Sequence, residues 1–292
     1  MAFPNFFIVG SAKAGTTSLY HYLCRHPDVF MSPVKEPHYF SQVQPDPELR
    51  FIYAYKSVRD EASYQKLFRE ANGARAIGEA STSYLWDEQT PARIKAAAPG
   101  AKIIIMLREP AARAYSHYLN DVREGIEKRP FLQALQEDHA QPRKGWGISH
   151  LYVELGLYAG QVRRYLASFP ESNVLVLFFE EFSADAKSIL RKVWGFLNLE
   201  APPSVDDEYR TAHNAYAAPR SIVSQAILGT PVLRAMGRLL PQPLRRLGRD
   251  RILLRQGKKP ALDPLARDFL CEIYEPDRAR LVEAVNRRLP WK

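Results

Sequence analysis

The turn after the first hydrophobic run is the feature that most restricts how this chain can fold. Residues 6–9 (FFIV) are continuously apolar and indicate a short buried β-strand, and residues 17–20 (TSLY) begin a helical pattern. Between them lies GSAKAGTT, residues 10–17, with glycines at both 10 and 15. A strand that turns through glycines into a helix directs backbone N–H groups and the positive end of the helix dipole towards an anion. The stretch therefore predicts a phosphate-binding loop.

The position of its lysine distinguishes this loop from that of nucleotide kinases and ATPases. Their pattern is G-x-x-x-x-G-K-[ST], with the lysine directly after the second glycine. Here Thr16 stands at that position, and Lys13 lies inside the turn. The apolar run 102–107 is followed by Arg108 rather than by an aspartate that could help to hold Mg²⁺. Both differences predict an anion bound by lysine and arginine without a metal.

The alternation of apolar runs and helical patterns predicts an α/β fold. Apolar runs occur at 6–9, 76–78, 102–107 and 173–179, and each is followed by a helical pattern. This order is typical of βαβ units, so we expect a P-loop-like three-layer fold with a central parallel β-sheet flanked by helices. We predict helices at 16–25, 60–70, 90–98, 111–124, 130–138, 150–169, 185–197, 221–239, 263–274 and 276–287. The segment 199–219 is predicted to be a long loop.

Length and charge suggest one domain with a basic, helical C-terminal part. The 292 residues are expected to form a single domain, residues 1–292, with a basic helical segment at about 221–260. Nine Lys or Arg and one acid lie between residues 234 and 259, whereas the other residues have 32 bases and 31 acids. Such a segment indicates either an anionic neighbour or a solvated helix face.

The sequence favours an intracellular location. No signal peptide and no apolar run long enough to span a bilayer is visible, and Cys24 and Cys271 form no pattern. We expect both cysteines to be reduced and buried or half-buried in helices. The predicted location is the cytoplasm, with peripheral contact at the inner membrane surface kept open.

The loop GSAKAGTTSL resembles the 5′-phosphosulfate loop of sulfotransferases that use 3′-phosphoadenosine 5′-phosphosulfate (PAPS). In that family the lysine inside the turn contacts the leaving phosphate and the bridging oxygen. The resemblance implies a bacterial-type sulfotransferase whose donor-binding loop consists of Lys13, Ala14, Gly15, Thr16, Thr17 and Ser18. The alternative is an ordinary strand–turn–helix with a solvated lysine.

A second anion site is predicted where the next strand ends. An arginine at the carboxyl edge of a strand and a hydroxyl on the following helix can converge on one phosphate. The spacing of Arg108 and Ser116 is similar to the 3′-phosphate site of the same family. By that resemblance they bind the phosphate that distinguishes PAPS from ATP, and Arg220 is expected to close over the nucleotide from a later loop. The alternative is a surface pair of Arg108 with Glu109.

The stretch KEPHYF, residues 35–40, resembles the Lys-Glu-Pro-His-Phe-Phe segment of the heparan sulfate 3-O-sulfotransferases. In that branch the glutamate acts as the base, which implies that Glu36 is the general base. The resemblance also implies that His38 orients Glu36 or assists the proton transfer, and that Lys35 helps to neutralise the sulfuryl oxygens. An aspartate commonly follows the second aromatic residue there, whereas this chain has Ser41. The alternative is a surface pair of Glu36 with Lys35.

Residues 78–84 (GEASTSY) resemble a family segment that lines the acceptor cleft. The resemblance implies that Glu79 and Tyr84 contact the acceptor.

Together these features predict sulfuryl transfer from PAPS to an acceptor hydroxyl, on a glycan or glycolipid, without a metal and without a nucleic-acid partner. A lipid-linked glycan, a small-molecule alcohol, a peptide tyrosine and an amine stay open as acceptors. Two rival functions are a P-loop nucleotide kinase or NTPase and a non-catalytic protein that binds polyanions through its basic segment. The oligomeric state and the sulfation position are not predicted.

Overall fold

The computed structural model describes residues 2–41, 57–202, 217–221, 224, 228, 230 and 254–291. Most of the predicted helix 221–239, of the predicted loop 199–219 and of the basic segment 234–259 lies outside the described residues. None of the helices in the described part is long and apolar enough to cross a bilayer.

Within the described residues, five parallel strands form one sheet in the order β2-β3-β1-β4-β5. The strands are β1 (Phe6–Gly10), β2 (Val29–Met31), β3 (Ala76–Ala80), β4 (Lys102–Leu107) and β5 (Val174–Phe178). The chain fills the β3 side of β1 first and then crosses to β4 on the other side. Ligands in such sheets bind beyond the carboxyl ends of the strands where this change of direction occurs. The loops after β1 and β4 therefore lie where a ligand is expected.

The sheet is covered by apolar packing on both faces, which confirms the predicted layers. Phe6 and Ile8 of β1 pack into one core, whereas Phe7 and Val9 pack into the other, because side chains alternate along a strand. All four are fully buried. This two-sided burial explains why these strands are continuously apolar in sequence.

The helices of the described residues are grouped by the core on which they pack. Helices α1 (Thr16–Leu23) and α9 (Ala186–Phe196) cover the first face. The second face is covered by α2 (Glu61–Lys66), α3 (Ser83–Trp86), α4 (Thr90–Ala97) and α7 (Tyr158–Ser168). A third core joins α5 (Pro110–Arg123), α6 (Phe131–Ala140) and α10 (Pro264–Val285). A short α8 (Phe179–Ala184) follows β5, and β6 (Ala217–Pro219) pairs antiparallel with β7 (Leu254–Gln256).

The C-terminal helix corrects the predicted break at Pro276. Two helices were expected at 263–274 and 276–287, but α10 is continuous and contains Pro276. Tyr274 before the proline and Leu281 after it are both buried. An internal proline removes one backbone hydrogen bond and crowds the preceding turn. Packing on both sides of the proline keeps the helix continuous at that cost. The predicted start is confirmed, since Asp263 accepts a hydrogen bond from the backbone of Leu265.

The helix predicted at 150–169 is shorter than expected. The structure has a 3₁₀ turn at Glu154–Gly156 and then α7. The buried carboxylate of Asp138 accepts hydrogen bonds from the backbone N–H groups of His150 and Tyr152 at 2.8 and 3.0 Å. These bonds hold the preceding residues in a loop.

Two smaller features of the structure also differ from what was expected. Strand β2 was not predicted, because three residues give too short a pattern to recognise. Cys24 and Cys271 are free, as expected, but both are exposed rather than buried. Cys24 lies at the C-terminal end of α1, and Cys271 lies on a face of α10 that points to solvent.

Candidate active site

The loop after β1 has the geometry of an anion-binding turn. Gly15 occupies the N-cap position of α1 with a φ of 89°, in the left-handed region that favours glycine. A Cβ atom at Gly15 would lie 2.9 Å from the ring of Phe179, so the position has no room for a side chain. The N–H groups in the first turn of α1, from Thr16 to Ser18, have no partner within the helix. The loop therefore presents donors where the sequence predicted them.

Hydrogen bonds from its backbone fix the loop to neighbouring elements. Ser11 donates its N–H to Met106 O of β4 at 2.6 Å, and Ala14, which is fully buried, donates to Ser11 O at 3.3 Å. Lys13 adopts a φ of 67° at the top of the turn. This conformation is uncommon for a residue with a side chain, and it places the lysine at the carboxyl edge of the sheet.

The ammonium group of Lys13 lies in a partly enclosed polar site. Lys13 Nζ donates to Asn120 Oδ1 of α5 at 3.1 Å. Burial, together with the positive charges of Arg123 and Arg108, lowers the pKa of Lys13 from 10.5 to about 8, and the nearby acids only partly offset this. A lowered lysine pKa in the presence of other cations is the electrostatic signature expected of an anion site.

Arg108 extends from the end of β4 to the same loop. Its Nη1 donates to Lys13 O at 3.0 Å, and its guanidinium carbon lies 4.5 Å from the ring centroid of Phe179. Burial lowers the pKa of Arg108. Within the described residues, the buried Nε of Arg108 has no hydrogen-bond partner. The two predicted cationic residues are thus brought together.

The structure does not support the alternative pairing of Arg108 with Glu109. Glu109 caps α5, and its carboxylate accepts hydrogen bonds from Ala111 N at 3.0 Å and from Ala112 N. Ser116 is half-buried on α5, as the spacing predicted. That Arg108 and Ser116 bind one phosphate stays a prediction.

A lysine that the sequence analysis did not select lies beside Arg108. Lys259 Nζ is 4.8 Å from the ring centroid of Tyr115 on α5. Partial burial and the positive charge of Arg108 lower the pKa of Lys259 to about 8. Arg220, the residue predicted for a late closing loop, is exposed and donates from Nε to Leu254 O at 2.9 Å. Arg220 thus links β6 to β7 here, and its contact with a nucleotide stays a prediction.

Glu36 lies at the carboxyl edge of the sheet, beyond β3. Its backbone N–H donates to Ala80 O, and its Oε2 accepts from Thr82 N at 2.9 Å. Lys35 Nζ donates to Glu36 Oε1 at 2.6 Å. The side chain of Glu36 is 23% exposed, which leaves an approach from solvent. Glu36 therefore does pair with Lys35, as the alternative reading of the sequence allowed. The pair is only partly exposed, and the Thr82 backbone also holds the Glu36 carboxylate.

These contacts keep Glu36 ionised. Burial alone would raise the pKa of Glu36, but the charge of Lys35, the neighbouring His38 and the hydrogen bond from Thr82 lower it to about 2. A carboxylate in this state accepts hydrogen bonds and protons but donates none at neutral pH.

His38 lies beside this carboxylate. Its Nε2 lies 3.4 Å from Glu36 Oε2, and its Nδ1 lies 2.6 Å from Ser83 Oγ. The ring is 1% exposed, and burial lowers the pKa of His38, which favours the neutral imidazole. Glu36 and His38 both adopt a positive φ, 62° and 54°, so the loop places the two side chains in a conformation that its neighbours must stabilise.

The structure corrects the predicted roles of Glu79 and Tyr84. Both are fully buried and line no open cleft. Glu79 Oε1 accepts from the hydroxyls of Tyr64 and Tyr84 at 2.7 and 2.8 Å, and its Oε2 accepts from Ser81 Oγ at 2.9 Å. A sequence pattern could not reveal this, because a strand-end glutamate is usually solvated.

The Glu79 network supports the loop that contains Glu36. His38 N donates to Ser81 Oγ at 3.1 Å, and Phe40 N donates to Tyr84 Oη at 3.2 Å. Each of these hydroxyls in turn donates to Glu79. The buried carboxylate therefore orients two hydroxyls that bind the backbone on either side of Tyr39.

The pH dependence of stability tests this role of Glu79. Burial raises the pKa of Glu79 from 4.5 to about 7, despite its three hydroxyl donors. Between these values the folded chain binds more protons than the unfolded chain, so the free energy of unfolding falls as pH rises. Between pH 4.5 and 8 the Glu79 carboxyl should lower the free energy of unfolding of the parent by about 3 kcal/mol, and Glu79→Gln should lack this contribution. Urea unfolding of both proteins across that range measures it, with the exposed Glu70→Gln as control; identical slopes for Glu79→Gln and the parent would contradict it.

The described residues include no group of three or more His, Cys, Asp or Glu side chains arranged for a metal ion. Independence from metal stays a prediction.

Comparison with known proteins agrees with the fold and the motifs. The family model described as "Sulfotransferase domain" matches residues 3–217. Human carbohydrate sulfotransferase 15 is 29% identical over 245 residues, which cover 67% of this chain and 44% of that protein. Mouse heparan sulfate glucosamine 3-O-sulfotransferase 3B1 is 29% identical over 199 residues, or 68% of this chain and 46% of that protein. The chain thus spans less than half the length of these relatives.

A solved structure matches nearly the whole chain. The crystal structure of a sulfotransferase from Alicyclobacillus acidocaldarius is 32% identical, covers 99% of this chain and 98% of its own, and superposes with a TM-score of 0.74. With the strand order, the glycine turn and the Lys13–Arg108 contact, these similarities assign the chain to the sulfotransferase domain family.

Proposed function

We propose that this protein transfers a sulfuryl group from PAPS to a hydroxyl of a carbohydrate. The contact between Arg108 and the Lys13 backbone is the observation that supports this most, because it fixes the Arg108 guanidinium to the glycine turn that contains Lys13. Glu36, held as a carboxylate at the same edge of the sheet, supplies a proton acceptor.

The chemistry of the donor site suits a nucleotide with anionic groups at two positions. The N–H groups that begin α1 and the ammonium of Lys13 are donors for the 5′-phosphosulfate end. Arg108, with an Nε that no described residue binds, and Lys259 are cations for the 3′-phosphate. Bound there, PAPS would supply the sulfuryl group and leave as the 3′,5′-bisphosphate (PAP).

The residues of the base site have separate tasks. Glu36 would accept the hydroxyl proton, and Thr82 orients its carboxylate. Lys35 now binds Glu36 Oε1; if it turns to a sulfuryl oxygen, the carboxylate loses a positive neighbour and becomes a stronger base. Neutral His38 lies close enough to Glu36 to fix its orientation.

The acceptor class is proposed from the names of the relatives. They include carbohydrate sulfotransferase 15 and heparan sulfate 3-O-sulfotransferases, and the Lys-Glu-Pro-His stretch is similar to the latter. Mouse bifunctional heparan sulfate N-deacetylase/N-sulfotransferase 4, 25% identical, keeps an amine open as acceptor. The basic segment 234–259 would contact the acceptor, the nucleotide or an anionic membrane surface.

A transfer assay and a binding comparison test the proposal together. Labelled PAPS is incubated with glycans, glycolipids, aryl alcohols and amines, and products are identified by mass spectrometry. We expect transfer to a glycan hydroxyl, and a larger increase in Tm with PAP than with ATP, which Arg108→Met removes. A kinase would show the reverse preference and a Mg²⁺ requirement. A simple polyanion binder would retain salt-sensitive binding without transfer to any acceptor.

A further inference from the structure

One amide oxygen on α5 accepts hydrogen bonds from two cationic side chains. Lys13 Nζ donates to Asn120 Oδ1 at 3.1 Å, and Arg123 Nη2 donates to the same atom at 3.0 Å. Two lone pairs allow a carbonyl oxygen to satisfy both donors. Lys13 of the loop after β1 and Arg123 of α5 therefore both direct a hydrogen-bond donor to the position of Asn120 Oδ1.

Such an arrangement is better matched to an anionic oxygen than to a neutral amide. Ammonium and guanidinium groups typically make short, strong hydrogen bonds with anionic oxygens such as those of carboxylates and phosphates. After burial, the charge of Arg123 is the largest influence that lowers the pKa of Lys13, so the two cations repel each other at close range. An anionic oxygen between them would relieve this repulsion.

The acids near these cations are already engaged. Arg123 Nε and Nη2 both lie 3.1 Å from Glu124 Oε1. Buried Asp121 accepts from Tyr152 Oη at 2.9 Å and contacts His150 at 2.8 Å. The pair of Arg123 with Glu124 is partly exposed, at 23% and 26%, and such pairs stabilise a fold little. Arg123 is thus held near Lys13 by their shared acceptor Asn120 Oδ1, and its remaining partner Glu124 contributes little to stability.

We propose that Arg123 is a second cation for the sulfuryl group, acting beside Lys13. Asn120 keeps the two donors together, and a sulfuryl oxygen takes both hydrogen bonds when it replaces the amide oxygen. The inference rests on the proposed function and assigns to it a residue outside the glycine turn and outside the pair Arg108 and Ser116. Arg123 would stabilise the sulfuryl oxygens, whereas Lys13 would also stabilise the leaving phosphate.

Comparison of two ligands that differ only in the sulfuryl group tests this role. Kd values for PAPS and PAP are measured by calorimetry without acceptor, and kcat is measured with the best glycan. For Arg123→Gln we expect an unchanged Kd for PAP, a Kd for PAPS about tenfold higher, and a kcat lower by about 10²-fold. Arg123→Lys should recover part of both losses.

The control is Lys128→Gln, which removes one positive charge from an exposed side chain just beyond α5. It should change neither the Kd for PAPS nor the Kd for PAP. An Arg123→Gln protein with unchanged kcat and an unchanged ratio of the two Kd values would overturn the inference. Equal weakening of PAP and PAPS in both Arg123→Gln and Arg123→Lys would show a structural role and also overturn it. A parent protein that neither binds PAPS nor transfers sulfate would instead contradict the proposed function itself.

Discussion

Replacing Glu36 with glutamine is expected to lower the rate of sulfuryl transfer by about 10²–10⁴-fold, the usual contribution of a positioned base. Glutamine has nearly the same shape and retains an oxygen that can accept the hydrogen bond from Thr82 N. It cannot accept the proton of an attacking hydroxyl. Because Glu36 lies on a different loop from Lys13 and Arg108, the affinity for PAP should not change. Steady-state transfer rates and PAP affinity by calorimetry, measured on the same preparation, check the lower rate and the unchanged affinity.

The matched control for this variant is Glu70→Gln, which makes the same change at an exposed position. It should retain parental kcat and parental PAP affinity. Full transfer by Glu36→Gln would remove Glu36 from the mechanism. Loss of PAP binding in the same variant would show that its loop shapes the donor site, and the role of base would then be unsupported.

The glycine turn and the position of Arg108 at a strand end could be predicted from sequence because both depend on local backbone geometry. The run FFIV, the glycines at 10 and 15 and the following helix specify a turn with free N–H groups whatever surrounds it. The run KIIIML predicts a buried parallel strand, and β4 has the predicted bounds. Lys13 and Arg108 were expected at the two ends of a bound nucleotide. Because adjacent parallel strands end at the same edge, the structure brings the Arg108 guanidinium to the Lys13 backbone.

The residues that were missed depend on packing between distant segments. Lys259 lies where the charge of Arg108 lowers its pKa because the segment after β7 packs on Tyr115, and no spacing rule connects residues so far apart. Glu79 has the residue type of a surface acid, yet three hydroxyls from α2, α3 and the end of β3 enclose it. Its burial follows from the tertiary arrangement and not from its neighbours in sequence.

Asn120 and Arg123 form an intermediate case, since a local signal for them existed. Ser116, Asn120 and Arg123 are spaced four and three residues apart, so the predicted helix 111–124 places them on one face. If Ser116 faces the donor, the other two do as well. The helical period could have indicated this face, but the two residues were not selected, and only the structure shows that Lys13 is the neighbour of both.

Replacing Lys13 with methionine is expected to lower kcat by about 10²–10³-fold, the cost of removing one donor from a developing negative charge. Methionine matches the unbranched chain of lysine up to the ammonium group. It should leave the turn intact, since the backbone bonds of Ser11 and Ala14 hold the loop. The variant should bind PAP roughly tenfold more weakly than the parent does, because it loses the contact of Lys13 with the 5′-phosphate, which PAP retains. Transfer rates and PAP calorimetry measure both effects, with exposed Lys66→Met as control.

The pH dependence of the same variant separates a charge effect from a packing effect. The pKa of Lys13 is lowered to about 8 by burial and by Arg123 and Arg108, while Asp121 and Glu124 oppose the decrease. Only the protonated amine can stabilise the leaving group, so kcat/KM of the parent should fall as pH rises through about 8, well below the usual lysine value of 10.5. In Lys13→Met the residual kcat/KM should decrease less than in the parent between pH 7 and 9.5, and the decrease that is left comes from Lys259, whose pKa is also lowered to about 8. A parent profile that is flat to pH 9.5, or an identical decrease in both proteins, would mean that the ammonium of Lys13 does not act in the transition state. The Lys66→Met control retains Lys13 and should therefore reproduce the parent curve.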